Sequence, residues 1–374
     1  MTENSFSVTP WDVQGEVNYD KLIQDFGTEP ITDPLIKRIK KHTGDLHFML
    51  RRKTFFTHRD MNWLLDEYEK GNKFYLYTGR GPSEHVHLGH IVPWIFTKWL
   101  QDKFDVKLIF QLTDDEKFLF KEKLELKDTY NYAIENALDI IALGFDSDKT
   151  EILIDTDNAK TFYNAALPIS KKITFSTVKS SFGFTNSNNL GQIFYTCIQA
   201  VPSVLESIRQ GENIPCLIPH AIDQDPHFRL SRDVLPKLGF YKPASIQCKF
   251  FPGLAGAGGK MSASEGQTIY INDSAKQVKT KINKYAFSGG KDTIEEHRKL
   301  GGNPDIDVSF QYLSILFEPD DKVLSEIYEQ YKSGHLLSGE LKSILIEKIN
   351  TFLKNHKEKR EKARSQLDKF LVKD

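Results

Sequence analysis

Two short stretches of the sequence combine glycines with side chains that can bind phosphate. Residues 77–90 read YTGRGPSEHVHLGH, in which Gly79 and Gly81 flank Arg80 and three histidines follow, with Gly89 between the last two. Glycine lets a ligand approach the backbone closely, and guanidinium and imidazole groups donate hydrogen bonds to phosphate oxygens. Residues 253–264 read GLAGAGGKMSAS, so that Lys260 follows a glycine-rich run. A lysine on such a loop can reach a phosphate when the loop closes.

The elements around the first stretch predict a turn between a strand and a helix. The aromatic run KFYLY at 73–77 is typical of a strand, and IVPWIFTKWLQDKF at 91–104 repeats apolar residues at helical spacing. A helix that opens after a parallel strand offers unpaired amides and partial positive charge to phosphate. The turn carries neither GxGxxG nor the lysine of a Walker A loop.

Blander interpretations of both stretches remain open at this level. HLGH is a short motif, and GLAGAGG alone is typical of a glycine-rich surface loop. His85, His87 and His90 could instead bind a metal, but their mixed spacing does not converge easily within a turn. No nearby cysteine or acidic residue completes a zinc pattern. We therefore predict no metal site.

Composition excludes several classes of protein. The 374 residues are 39% hydrophobic, and 50 basic residues balance 51 acidic ones, so a polyanion must meet a local basic surface. Three separated cysteines fit neither a zinc ribbon nor a disulfide scaffold. The N-terminus lacks the apolar core of a signal peptide, and no run is long enough to span a membrane. We expect a cytoplasmic protein with no membrane contact.

The order of elements predicts an α/β fold with three parts. Residues 1–70 form an N-terminal extension with a turn and helices. Residues 71–274 alternate strands such as VKLIFQL, EILID and PCLIP with helices, which favours a parallel sheet with crossover helices. Residues 275–374 show helical patterns, so a helical C-terminal domain is expected.

HLGH at 87–90 and KMSAS at 260–264 together resemble the HIGH and KMSKS signatures of class I aminoacyl-tRNA synthetases. Five further segments narrow the likeness to the eukaryotic/archaeal tryptophanyl-tRNA synthetases: YTGRGPS at 77–83, QLTDDEKF at 111–118, IQAVPS at 198–203, AIDQDPHFR at 221–229 and AFSGGKDTIEEHRKLGGNPDIDVSF at 286–310. The resemblance runs from about Trp11 to the C-terminus. Ala263 stands where the general pattern has its second lysine.

This resemblance implies that residues 71–274 form a Rossmann-type catalytic domain with an inserted connective segment, that residues 275–374 form a helical anticodon-binding domain, and that the protein is a homodimer. It implies ATP-dependent activation of L-tryptophan, with Mg²⁺ accompanying ATP, and transfer of the amino acid to tRNA(Trp). It also implies that the segment around VTPWDVQGEVNYDKL is a hairpin over the active site. No further N-terminal RNA-binding hairpin is expected before this core.

The family's functional residues map onto this chain by motif. Tyr77 and Gln111 are implied to meet the indole N–H, and Glu116, Gln199 and Gln224 to hold the substrate ammonium. The implied ATP ligands are Thr78, Gly79, Arg80, His87, Gly89, His90, Lys260, Met261 and Ser262. Of these, Arg80, His87, His90 and Lys260 are implied to act in catalysis.

Alternatives to these roles and to the function stay open. Gln111 could be a buried glutamine bonded to backbone, and Glu116 a solvated carboxylate in a charged turn. The chain could also be a tyrosyl-tRNA synthetase, a nucleotidylyltransferase with a similar turn, or a non-catalytic relative. The amino-acid pocket would separate the first, the helical C-terminal part argues against the second, and the intact lysine motif argues against the third.

The last stretch of the chain is a candidate tRNA contact. Residues 351–374 read TFLKNHKEKREKARSQLDKFLVKD, with eight basic residues against four acidic ones. Charge reversal at Lys357, Lys359 and Arg360 is predicted to weaken tRNA charging. The alternative is an amphipathic terminal helix with Phe352, Leu353, Leu367, Phe370 and Leu371 inward and solvated charge outward.

Overall fold

An eight-stranded sheet forms the centre of the computed structural model, which describes residues 7–8, 13–14, 17–256, 261 and 267–374. The strands are β1 Ser7–Val8, β2 Val13–Gln14, β3 Glu29–Pro30, β4 Phe55–Arg59, β5 Tyr75–Arg80, β6 Leu108–Leu112, β7 Thr150–Ile154, β8 Cys216–Ala221, β9 Ala244–Cys248 and β10 Leu371–Val372. The sheet order is β10-β7-β6-β5-β8-β9-β4-β3, and β1 pairs with β2 as a separate antiparallel hairpin.

Six neighbouring strands of the sheet are parallel, from β10 to β9, whereas β4 and β3 run antiparallel at the far edge. The central strands are mostly apolar because helices cover both faces, and every residue of β6, including Gln111, is buried. The chain leaves β5 toward β6 and β7, then returns to β8 on the other side. The carboxyl ends of β5 and β8 therefore border the crevice in which such sheets bind ligands.

The helices surround this sheet and fill the C-terminal part. They are α1 Tyr19–Phe26, α2 Asp33–Thr43, α3 Phe48–Arg51, α4 Met61–Glu69, α5 Leu88–Phe104, α6 Asp114–Phe120, α7 Leu126–Ala142, α8 Ala159–Ser170, α9 Phe175–Phe182, α10 Leu190–Ile198, α11 Leu205–Gln210, α12 Asp225–Val234, α13 Ala275–Tyr285, α14 Ile294–Leu300, α15 Val308–Tyr312, α16 Asp321–Lys332, α17 Ser338–Ala363 and α18 Leu367–Phe370. No helix in the described ranges has both the length and the apolar composition that spanning a membrane requires.

Helix α17 joins the C-terminal helices to the sheet. It packs on α7 and α13, and its apolar face shares one buried core with the sheet, so that Leu345 and Ile349 belong to the same cluster as Leu138. Arg360 of α17 donates from Nε to Asp139 of α7 at 2.7 Å. The sheet and the C-terminal helices are thus cross-linked by both apolar and ionic contacts.

The main elements expected from the sequence are present, with three differences. The α/β class, the parallel strands β5 to β8 and the hairpin near the N-terminus are confirmed. Residues 1–70 also supply β3 and β4 to the main sheet, and β9 was not expected. The helical expectation for the C-terminal part is wrong at β10, which pairs in parallel with β7. The three-domain division of the chain stays a prediction.

The C-terminal basic segment is only partly exposed. Lys357 and Lys359 face solvent, whereas Arg360 is half-buried and also pairs with Glu135 of α7 at 2.5 Å. Leu353 and Phe370 are buried, as the amphipathic-helix interpretation expects. Arg360 is therefore a structural link between helices, and it is a poor choice for testing a tRNA contact.

Candidate active site

A cavity of about 420 Å³ opens at the carboxyl ends of β5 and β8, beside the start of α5. Ten of the residues expected from the sequence line it: Thr78, Gly79, Arg80, His87, Gly89, His90, Glu116, Gln199, Gln224 and Met261. Tyr77 and Gln111 are fully buried beneath its wall. Segments far apart in the chain therefore meet at one site.

The HLGH motif forms the first turn of α5, with His87 as the N-cap residue. The backbone N–H of His87 donates to Nδ1 of His90 at 3.2 Å, and the two imidazole rings stack with centroids 3.4 Å apart. The segment that follows KMSAS pairs with this turn, because Leu88 N–H donates to the Ile269 carbonyl at 3.1 Å. The HLGH turn thus lies beside the segment that follows the second signature motif.

Glycines at the turn are needed for close packing. A Cβ atom on Gly89 would lie 3.2 Å from two atoms of the His87 ring, and one on Gly81 would lie 2.5 Å from Oε2 of Glu116. On Gly79, a Cβ atom would come within 3.0 Å of the Gln111 carbonyl oxygen. Any larger residue would displace a group that lines the cavity.

Arg80 is buried at the edge of the cavity and holds the turn in shape. Its Nε donates to Oδ1 of Asn136 at 2.7 Å, and its Nη2 donates to the Ser83 hydroxyl and to the His85 carbonyl. Nη1 has no hydrogen-bond partner within the described residues. Burial lowers the pKa of Arg80 to about 9, so the guanidinium stays protonated at neutral pH. One buried donor is therefore left for a ligand.

Asn136 of α7 was not expected from the sequence, yet it clamps this turn. Its Oδ1 accepts from Arg80 and from the Ser83 N–H at 3.2 Å, and its Nδ2 donates to the Ser83 carbonyl at 2.9 Å. The residue lies in a helix whose apolar pattern gives no warning of a polar contact. Only the fold brings α7 beside the turn.

Below the cavity, Tyr77 and Gln111 form one hydrogen-bond network with Gln199. The Tyr77 hydroxyl donates to Oε1 of Gln111 at 2.6 Å, and Nε2 of Gln199 donates to the same oxygen at 3.2 Å and to the Tyr77 hydroxyl. Tyr195 adds a hydrogen bond to Oε1 of Gln199. Burial raises the pKa of Tyr77 well above its usual value, so its hydroxyl remains protonated. The network is a set of oriented polar groups in an otherwise apolar wall.

Gln111 is anchored from the opposite side by Asp155, a second residue that was not expected. Nε2 of Gln111 donates to both carboxylate oxygens of Asp155, at 3.0 and 2.8 Å. The interpretation of Gln111 as a backbone-bonded core residue is therefore wrong, since its amide contacts side chains. Asp155 closes the run EILID, and a carboxylate at the end of a buried parallel strand is the sequence feature that could have indicated it.

Glu116 and Gln224 border the cavity from two helical segments. Glu116 is half-buried in α6, and its Oε2 accepts from the Thr113 hydroxyl at 3.2 Å. Gln224 is half-buried just before α12. Their polar ends border the same cavity as Gln199, so a carboxylate and two amides surround the space above Tyr77.

Of the KMSAS motif, Met261 belongs to the described residues, whereas Lys260 and Ser262 lie outside them. Met261 is buried, and its N–H donates to the Phe251 carbonyl at 2.9 Å. Phe251 packs against Tyr312 of the C-terminal helices, with ring centroids 4.3 Å apart. The base of the glycine-rich segment is thus fixed to both the cavity and the helical part.

His85 does not join His87 and His90. Its Nδ1 lies 3.2 Å from Nδ2 of Asn272, on the outer side of the turn. Among the described residues, no group of three or more histidine, cysteine, aspartate or glutamate side chains is arranged to hold a metal ion.

Known proteins resemble this chain over almost its whole length. A family model described as tRNA synthetases class I (W and Y) matches residues 69–354. Tryptophan--tRNA ligase of Sulfolobus acidocaldarius is 53% identical over 367 residues, which are 98% of this chain and 95% of the relative. The solved tryptophanyl-tRNA synthetase of Plasmodium falciparum is 44% identical with a TM-score of 0.89, covering 95% of this chain and 97% of the other.

A second solved structure is informative because of its ligand. The tryptophanyl-tRNA synthetase from Encephalitozoon cuniculi, bound to tryptophan, is 39% identical with a TM-score of 0.88. The match covers 95% of this chain and 98% of that one. The likeness therefore includes the sheet, the crevice at its carboxyl edge and the C-terminal helices together.

Proposed function

Since the chain belongs to the class I tRNA synthetases of tryptophan and tyrosine, we propose that it activates L-tryptophan with ATP and transfers it to tRNA(Trp). One observation carries the choice of amino acid. The buried Tyr77–Gln111 pair presents a fixed carbonyl oxygen, Oε1 of Gln111, under the wall of the cavity. An indole N–H is a single donor that such an acceptor can satisfy, and its flat apolar ring suits the surrounding wall.

The polar groups above this pair suit the amino end of the substrate. Glu116 supplies a negative charge for the ammonium, and the amides of Gln199 and Gln224 supply acceptor oxygens around it. A site that buries hydrogen-bonding groups rejects analogues that leave them unpaired, which is the basis of strong selection. Tryptophan is thus held by both its ring nitrogen and its ammonium.

The turn between β5 and α5 suits ATP. Thr78 and Gly79 lie near the end of the strand, Gly89 leaves space beside the backbone, and His87 caps the helix whose first turn contains His90. These donors and the helix N-terminus face the crevice in which phosphates bind. Magnesium would enter with ATP and be held mainly by phosphate oxygens and water, since imidazole and guanidinium groups suit the phosphates better than the cation.

Activation requires little proton transfer, because the attacking carboxylate is already ionised. The carboxylate oxygen attacks the α-phosphate, the bond to the pyrophosphate oxygen breaks, and tryptophanyl-adenylate remains. Catalysis then depends on positioning and on stabilising charge at a crowded phosphate. Arg80 contributes one unpartnered buried donor, and we assign Lys260, with Ser262, to the charge that develops in the transition state.

Exposed apolar side chains on the helices between β7 and β8 support a homodimer. Leu190 at the start of α10 is 84% exposed and Tyr163 of α8 is 54% exposed, with Leu167 and Phe175 also exposed nearby in the chain. Large apolar side chains that are exposed at a surface are typical of protein interfaces. Leu190→Asp should shift the molecule toward the monomer in sedimentation, while an acidic residue in the first helical turn keeps α10 stable. An unchanged dimer would place the interface elsewhere.

The proposed partners indicate where tRNA contacts the molecule and in which compartment the protein acts. Its tRNA would contact the C-terminal helices as well as the catalytic cavity, and the cytoplasm, where tRNA and ATP are used in translation, is the proposed compartment. The helical part is attached to the cavity through Phe251 and Tyr312. Binding of the anticodon to those helices would therefore affect the geometry of the active site.

Pyrophosphate exchange with each of the twenty amino acids tests the proposal. Tryptophan should support exchange, and tyrosine and phenylalanine should not. Gln111→Ala should lower kcat/KM for tryptophan by about two orders of magnitude, with little change in KM for ATP. Gln101→Ala is the matched control, because Gln101 is also buried but donates to Thr150 away from the cavity. Exchange that depends equally on tyrosine would overturn the assignment.

A further inference from the structure

We propose that Asp155 is a positioning residue that makes Gln111 present its carbonyl oxygen, and never its amide nitrogen, to the indole N–H. The proposal rests on the proposed function, because it concerns how that pocket selects tryptophan. Asp155 lies immediately after β7, next to the strand that carries Gln111. It is not a lining residue of the cavity, so it would act on the substrate only through Gln111.

The geometry fixes which end of the Gln111 amide faces which neighbour. The side chain of Gln111 is 0% exposed, and Nε2 lies 3.0 and 2.8 Å from the two Asp155 oxygens. Carboxylate oxygens accept hydrogen bonds from N–H donors, whereas a carbonyl oxygen in the same place would be repelled. The only other polar atom of the amide, Oε1, therefore points toward Tyr77.

This orientation matters because the two ends of a glutamine amide have nearly the same shape. Packing alone discriminates poorly between the two orientations, and the hydrogen-bond network must decide between them. Tyr77 and Gln199 cannot decide alone, since a hydroxyl both donates and accepts and Gln199 carries an amide of its own. Asp155 places its two carboxyl oxygens against the amide nitrogen of Gln111, and at least one of them remains an acceptor whichever carboxyl holds the shared proton, so it sets the polarity of the whole network.

Asp155 itself is held rigidly. Its backbone N–H donates to the Leu112 carbonyl at 3.1 Å, which ties it to the end of β6. The carboxyl of Asp115, which is half-buried, hydrogen-bonds to it near the buried Asp114. Burial and repulsion by Asp115 raise the pKa of Asp155, and burial raises that of Asp115, which favours one proton held between them. A shared proton lowers the cost of burying the pair while acceptor oxygens remain for Gln111.

The proposal predicts a specific loss of discrimination. The probe is an analogue of tryptophan in which sulfur replaces the ring N–H, namely β-(1-benzothiophen-3-yl)-L-alanine. The kcat/KM ratio of tryptophan to this analogue in pyrophosphate exchange should be about 100 in the native protein, because the sulfur of the analogue cannot donate the hydrogen bond that the indole N–H makes to the buried acceptor. In Asp155→Ala the ratio should fall about tenfold or more, since the amide of Gln111 can then rotate or become mobile.

Two further variants separate positioning from a general structural role. Asp155→Asn keeps one acceptor oxygen for Gln111, so it should retain a ratio between those of the native protein and Asp155→Ala. It also supplies the test if the alanine variant does not fold. Asp114→Asn is the matched control: Asp114 is an equally buried neighbouring carboxyl, but it bonds to Thr156. Its ratio should stay at the native value even if its melting temperature falls.

The outcomes distinguish the two proposals. If the native protein does not discriminate between tryptophan and the sulfur analogue, the pocket is not built around the ring N–H and the proposed function of Tyr77 and Gln111 fails. If the native protein discriminates and folded Asp155 variants keep the full ratio, the pocket stands and Asp155 has no positioning role. Equal losses for both substrates would also overturn the positioning role.

Discussion

The two halves of the cavity, which we assign to the amino acid and to the nucleotide, are built in different ways. On the amino-acid side, Tyr77, Gln111 and Asp155 lie on or just after three adjacent strands and bind one another through buried side chains. On the nucleotide side, the turn before α5 relies on glycines and on the N-terminus of the helix, with Asn136 as its clamp. One half is a network of side chains, and the other is shaped mainly by backbone.

The difference corresponds to what each half must distinguish. Selecting one amino acid requires a particular donor or acceptor at one position, and side chains on rigid strands provide it. ATP is the same in every reaction cycle, so the nucleotide half needs only close approach and positive charge. Substitutions on the first side should therefore change selectivity, and those on the second should change rate or ATP affinity.

The largest expected effect is on the nucleotide side. Lys260→Ala should lower the single-turnover rate of adenylate formation by about 10²–10³-fold, as expected for loss of a group that stabilises transition-state charge. The dissociation constant for tryptophan should change little. Lys276→Ala, at an exposed position of α13, is the control and should be neutral. An unchanged activation rate in the Lys260 variant would show that the motif has no catalytic role here.

A smaller effect should follow from filling space beside the backbone. Gly89→Ala adds a Cβ atom 3.2 Å from the His87 ring and 3.4 Å from Cβ of Phe251, so the ring must move. We expect KM for ATP to rise about tenfold, while selectivity for tryptophan is kept and the helix is not weakened, because alanine favours helices. Gly339→Ala in α17 is the control, since nothing lies within 4 Å of its Cβ position. Unchanged ATP kinetics would contradict the close-approach argument.

The C-terminal surface should affect only the second half of the reaction. Lys357→Glu with Lys359→Glu changes two exposed cations of α17 and should lower tRNA charging several-fold. The slope of the logarithm of tRNA affinity against the logarithm of salt concentration should also become shallower by about two if both lysines contact phosphates. Pyrophosphate exchange should stay at its native rate. Arg360→Glu is the contrasting variant. It places a carboxylate beside Asp139 and Glu135 and should mainly destabilise the protein by charge repulsion. If the double variant charges tRNA normally at every salt concentration, this face is not the contact.

The smallest expected effect concerns the buried carboxyls on the amino-acid side. Burial raises the pKa of Asp115 from its usual 3.8 to about 7. The folded state then holds a proton that the unfolded chain releases, so this contribution to stability is complete below pH 3.8 and is lost as the pH rises through about 7. Between pH 5 and pH 8 the native protein should lose on the order of 2 °C more in melting temperature than Asp115→Asn. Asp102→Asn, an exposed residue of α5, should follow the native curve. Parallel curves for native protein and Asp115→Asn would rule the effect out.

The sequence predicted the strands and the turn of the nucleotide half. It did not predict the residues on other elements that support the cavity. The strand–turn–helix at HLGH follows from glycine, aromatic and helical patterns that are local, and β5 to β8 follow from continuous apolar runs. Asn136 and Asp155 could not be found in this way, because their partners lie on other elements and their neighbours in the chain look like ordinary helix or strand ends. β4 and β9 were missed because FFTHR and ASIQC mix polar and apolar residues, although the sheet buries nearly all of them.

The pairing of β10 with β7 has a consequence for how the chain folds. Leu371 of β10 and Leu153 of β7 lie far apart in the sequence. Nδ2 of Asn158 donates to the Val372 carbonyl oxygen at 2.8 Å and so holds β10 in place. Bringing β7 and β10 together closes a loop of more than two hundred residues, which loses chain entropy before the contacts between the strands form. This edge of the sheet should therefore assemble late and slowly. Until it does, β7 is an open edge whose unpaired backbone groups could pair with another chain. The short terminal strand therefore acts as a guard against aggregation, and refolding yield at high protein concentration should depend on it more than on any residue of the cavity.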